Sequence, residues 1–221
     1  MRAQCHAGVR TDARIVGVVK GETSIHLCRV EGRLTAAGAF DLSPRPNHLK
    51  ILETGQMSIS MYRLTVPMFQ RGLASLKTYL DKAEAYAKEK SIDPAILVAA
   101  RLAPDMLPLS GQYQRASDTA KFALARLTAT DAPKFEDNET TFDDLRERLA
   151  KTSAYLGGFS AQTLEGTETR QITLPGKSGI VLPGDEYIAT FALPNFYFHV
   201  ATAHAILRSQ GAPIGKRDYL G

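Results

Sequence analysis

Residues 65–88, TVPMFQRGLASLKTYLDKAEAYAK, place apolar side chains at Phe69, Leu73, Leu76, Leu80, Ala83 and Ala87. Steps of three and four residues are the period of one helix face. Arg71, Lys77, Asp81, Lys82 and Lys88 fall mostly off that face. Thr65 is a candidate N-cap, and Pro67 suits a first turn, where its missing N–H has no partner to lose. The stretch reads as an amphipathic helix that needs apolar partners.

Those partners follow along the chain. Ser91-Ile92-Asp93-Pro94 breaks the pattern and restarts it, with Asp93 as N-cap and Pro94 opening a short helix to Leu102. A third helix runs from about Pro108 to Thr128, with Leu109, Tyr113, Ala116, Ala120, Ala123 and Leu127 on one face. Thr141 caps a fourth, Asp144 is its reciprocal partner, and Gly157-Gly158 stops it. Between Gly166 and Asp185 the period falls to two, so Thr169–Leu174 and Gly179–Leu182 read as a β-hairpin around Pro175-Gly176-Lys177-Ser178. Asp185 caps the last helical region, which Pro194 must kink or interrupt before it resumes from Asn195 to Gln210. The tail 212–221 reads as irregular. The expected fold is all-α: an antiparallel four-helix bundle with a small β-hairpin inserted before its last helix.

The whole chain has 221 residues, 44% of them hydrophobic, enough to bury a core, and a net charge of +4. The charge is uneven, because residues 1–56 hold eight Lys/Arg against five Asp/Glu and only one aromatic, Phe40. The expected organisation is a basic, aromatic-poor extension over 1–56 and a helical domain over 57–221. The extension has three readings: a flexible arm with Ile15–Val19 and Ser24–Val30 pairing as strands, a nucleic-acid arm, or the product of an upstream start codon ahead of Met57 or Met61. Interspersed charges of both signs, and no aromatic platform, speak against nucleic acid. Cys5, His6, His26 and Cys28 lack the spacing that closes a zinc ring. Two cysteines make no disulfide framework, and no secretory leader or apolar run of membrane-spanning length is visible, so a cytoplasmic protein is expected.

The candidate chemistry centres on His199, on the stripe Phe196, His199, Ala203, Ile206. An inward imidazole needs partners for both nitrogens, or a metal. His204 lies about 140° further round the helix and reads as a surface or interface residue. Asp118 either pairs with Lys121 on the surface or turns inward to orient His199. Gln112, Asn195 and Tyr197 are candidates for the same polar cluster. The carboxylates Glu136, Asp137, Glu139, Asp143 and Asp144 straddle a helix start and complement its dipole. Phosphate-loop, dinucleotide, nucleophile-elbow and zinc-protease motifs are absent, and the chain beyond 57 has no cysteine nucleophile.

Three stretches carry a resemblance: Ala103-Pro104-Asp105-Met106 with Ser117-Asp118-Thr119-Ala120-Lys121; 135–142, FEDNETTF; and Leu193-Pro194-Asn195-Phe196-Tyr197-Phe198-His199-Val200 followed by Gly215-Lys216-Arg217-Asp218. From about Ser58 to Gly221 the chain resembles the bacterial domain of unknown function DUF1993, which is similar to the DinB/YfiT-like four-helix bundles. The resemblance implies that fold. Better-known members of that superfamily bind a divalent metal through three histidines, an H-x-x-x-H pair on the last helix and one on an earlier helix, and some are thiol-dependent transferases or isomerases. Here His199 matches the first of the pair, Ala203 stands at the second, and the third helix has no histidine. A divalent metal would be left with His199, Asp118 and Gln112.

Two functions follow. One is a small-molecule-binding protein or enzyme with a pocket around His199, Asp118, Gln112, Asn195 and Tyr197, with His199 as general base and Asp118 orienting it. The other is a non-enzymatic homodimer joined through an exposed aromatic face. Membrane association is not expected, and DNA binding follows only from the charge of 1–56.

Overall fold

The computed structural model describes residues 59–174, 176 and 179–221, together with the backbone of 15–21 and 24–30. The chain divides into two compact units, Met1–Gln56 and Met57–Gly221. In the first, β1 (Ile15–Gly21) and β2 (Ser24–Val30) form an antiparallel hairpin with Gly21 opposite Ser24. The Cys5-His6 pair lies outside the described residues.

The second unit is an all-α bundle of four long helices: α1 (Met61–Lys90), α3 (Leu109–Thr128), α4 (Phe142–Gly157) and α6 (Leu193–Ser209). α1 and α3 each pack on both α4 and α6, so α1 and α3 stand diagonally. The short α2 (Pro94–Ala99) bridges them. Phe69, Leu76 and Leu80 of α1, Tyr113, Ala116 and Ala120 of α3, Leu145 of α4, and Phe196, Ala203 and Ile206 of α6 meet in the core with no exposed surface. Among the described residues no helix is long and apolar enough to cross a membrane.

The caps of α2 and α4 are those their sequences demand. Asp93 accepts from Ala95 N at 3.0 Å, and Thr141 and Asp144 exchange bonds of 3.1 and 2.9 Å. α1 starts earlier than Thr65. Ser60 caps it and the apolar Met61 is buried, so the added turn has a core-facing residue. Thr65 is internal and gives its hydroxyl back to Met61 O at 2.7 Å, while Pro67 stands inside the helix.

A small hairpin, β3 (Gln171–Thr173) with β4 (Val181–Pro183), precedes the last helices. α5 (Gly184–Tyr187) follows Pro183 directly, so the cap position falls at Pro183, two residues before the expected Asp185, and Gly184 lies against Thr167 O where any side chain would collide. A π-turn, Ile188–Ala192, joins α5 to α6, in which Pro194 sits in the first turn. The tail is not irregular. Asp218 accepts from Gly215 N at 2.8 Å and from Lys82 Nζ at 2.6 Å, holding a short α7 (Lys216–Leu220) on α1.

α6 reaches α1 closely because Gly72 has no side chain: a methyl there would overlap the edge of the Phe196 ring. That ring is fully buried and stands edge-on to Phe69 at 5.0 Å. Gly72→Ala is expected to destabilise the domain by roughly 1–3 kcal/mol through overpacking. Gly157→Ala, with nothing within 4 Å of the added carbon, should be close to neutral. Urea unfolding followed by circular dichroism distinguishes the two.

Candidate functional site

His199 projects from α6 toward α3 and is 9% exposed. Its Nδ1 lies 2.8 Å from Oε1 of Gln112, a side chain buried at the start of α3. Gln112 Nε2 donates in turn to Leu107 O at 3.0 Å. The amide nitrogen is thereby committed to a carbonyl, so the oxygen faces the imidazole and Nδ1 must carry the hydrogen. Nε2 is then the bare nitrogen, and it has no hydrogen-bond partner among the described residues. Burial, aided by the positive charge of Arg115, pushes the His199 pKa down to about 4. The ring is neutral at physiological pH, with its lone pair at the α3–α6 seam. Phe198 stands edge-on to it at 5.3 Å and is largely exposed.

One turn away, Asn195 Nδ2 donates to Thr119 Oγ1 at 2.7 Å, a second polar tie between α6 and α3. Tyr197 does not join this site. Two residues before His199 it lies about 200° round the helix, and its hydroxyl donates to Met68 O of α1 at 2.9 Å. Asp118 does not orient His199 either. Six residues beyond Gln112 it points about 120° away, toward α4, where it meets Arg148 Nη2 at 3.0 Å and Lys121 Nζ at 3.0 Å. His204 is half-buried rather than on the surface, edge-on to Tyr79 at 5.5 Å.

Asp118 does pair with Lys121, one of the two readings of its spacing; what sequence reasoning missed is that Arg148 joins the pair away from the surface. Arg148 and Lys121 are both buried. Arg148 Nη1 donates to Glu139 at 2.7 Å, to Asp137 at 3.0 Å and to Glu136 O at 3.1 Å. Lys121 donates to Pro133 O and stands 3.8 Å from the Phe135 ring centre. Asp137 and Glu139 of the carboxylate run therefore serve arginine and not a helix dipole alone, and with Glu136 O they pin the 131–140 loop to α3 and α4. The available signal was two bases, Lys121 and Arg148, set beside apolar stripes with acids nearby. A cavity of about 580 Å³ lies beside this loop, and another of about 800 Å³ lies between Met61–Leu64 and Ala161–Gly166; His199 lines neither.

A family model for a domain of unknown function, DUF1993, matches residues 61–220. The chain belongs to the DUF1993 family. Among solved structures it is similar to a DinB family member protein from Shewanella denitrificans, at 46% identity and a TM-score of 0.70, covering 72% of this chain and 91% of that one. No curated protein matches it. This DUF1993 domain is thus a DinB-like bundle.

The neutral buried histidine makes DUF1993 stability depend on pH. The unfolded chain takes up a proton near pH 6.5 and the folded chain only near pH 4, so the contribution is complete above pH 6.5 and is lost as the pH falls toward 4. The loss amounts to about 3 kcal/mol. Denaturant unfolding across that range should show a steeper fall in the wild type than in His199→Asn, which keeps only the part due to the ion-paired and capping carboxylates.

Proposed function

We propose that the protein binds a small molecule that presents an N–H or O–H to His199 at the α3–α6 seam. The observation that carries this reading is the bare Nε2 of a neutral imidazole whose other nitrogen is fixed by Gln112. That nitrogen is free to accept, and a ligand donor would supply its partner. The low pKa favours hydrogen-bond acceptance over proton abstraction, because a general base works best with a pKa near the working pH. His199 is accordingly a binding residue, Gln112 positions it, and exposed Phe198, edge-on to its ring, adds apolar surface beside it.

Ligand-observed NMR with a fragment set containing paired N–H and N-methyl heterocycles tests this on the full chain. N–H fragments should bind the wild type, and their affinity should fall about tenfold or more in His199→Gln, the order of one lost buried hydrogen bond. Equal binding to both proteins, or equal binding of the N-methyl analogues, would sink the proposal.

Self-association is a second reading, favoured by the exposure of Phe198, Leu107 and Leu102, large apolar side chains on α6 and the α2–α3 connection. Light scattering after size exclusion should then give a dimer that Phe198→Glu dissociates. A monomer at every concentration would exclude it.

A further inference from the structure

The DinB-like resemblance brings with it a divalent metal, and the residues of this chain do not fit one. Of the three histidine positions, His199 alone is filled by a histidine. Ala203, at the second position, is fully buried and offers no donor. At the start of α3 stands Gln112, both ends of whose amide are engaged, one by Leu107 O and one by His199. An amide oxygen that already accepts from imidazole is a poor ligand for zinc-like ions, which favour imidazole and thiolate. Asp118, the remaining candidate, is held by Arg148 and Lys121 on another face of α3. Among the described residues no three His, Cys, Asp or Glu side chains are grouped to share an ion.

We infer that this chain has exchanged a metal centre for a hydrogen-bonded relay, from Leu107 O through Gln112 to His199. The relay does mechanically what a shared metal does. It ties the start of α3 to the middle of α6 and fixes one imidazole in a single tautomer. It differs chemically, because it places an uncharged lone pair at the seam where an ion would place a Lewis acid. The carbonyl of Leu107 belongs to the connection between α2 and α3, so the orientation of His199 is set by the backbone of that connection.

The test uses tag-free full-length protein, incubated with excess Zn²⁺ or Ni²⁺ and then desalted. Metal counted by mass spectrometry should be the same in the wild type and in His199→Gln, so ions held elsewhere cancel. The ¹⁵N resonances of the His199 ring should report hydrogen on Nδ1 and stay unmoved by Zn²⁺. Gln112→His, which faces a second imidazole toward His199, should gain a Zn²⁺-dependent rise in melting temperature that the wild type lacks. One equivalent of metal in the wild type that is lost in His199→Gln, or a Zn²⁺-induced shift of its Nε2 resonance, would overturn the inference.

Discussion

Everything at the seam depends on how closely α6 lies on α1, and that is governed by the missing side chain of Gly72. Phe196 fills the notch. Once that ring is seated against Phe69, the rotation of α6 about its axis is no longer free. At about 100° per residue, His199 and Ala203 return to within roughly 60° and 20° of the Phe196 bearing, which carries them inward. Phe198 falls on the opposite side and is 55% exposed, and Tyr197 turns to α1. A single close contact between two helices thus decides which of four consecutive side chains reaches Gln112.

The π-turn ahead of α6 belongs to the same constraint. Ile188, Ala192 and Phe196 are spaced by four residues and none has any exposed surface. In a regular α-helix two steps of four drift by about 80°, enough to lift one of the three out of the core. The wider π-turn over Ile188–Ala192 takes back part of that drift. It also relieves Pro194, which donates no hydrogen bond and whose ring would press on a carbonyl one turn earlier in a regular helix. Asn195, bonded to Thr119, then ties the first turn of α6 to α3.

What the sequence disclosed was local chemistry. The Asp93-Pro94 start and the Thr141/Asp144 box are satisfied within four residues, and the structure contains both as read. Thr65 and Pro67 obey the same local grammar, yet Ser60 and Met61 extend the helix past them, because burial of Met61 is a tertiary matter. The order of α7 rests on the ion pair of Asp218 with Lys82, from the other end of the domain, and no local pattern announces it. By spacing alone Asp118 was the readier companion for His199 and Gln112 the weaker one. Which faces α6 and which faces α4 follows from the diagonal placement of α1 and α3, a property of the whole bundle.

That placement also explains why His199 is neutral. An imidazole acquires its charge readily beside a carboxylate and loses it when buried beside an amide. The acids of α3 and the following loop, Asp118, Asp137 and Glu139, gather on Arg148. Arg148 lies buried between α4 and that loop and would be intolerable without them. Holding the loop therefore draws carboxylate away from α6 and leaves Arg115, a cation, as the charged neighbour that bears on the imidazole. Both that charge and the burial act against protonation. The loop anchor and the bare nitrogen at the seam are in this sense two outcomes of one distribution of charge, and a carboxylate moved from the first to the second would turn an acceptor into an imidazolium.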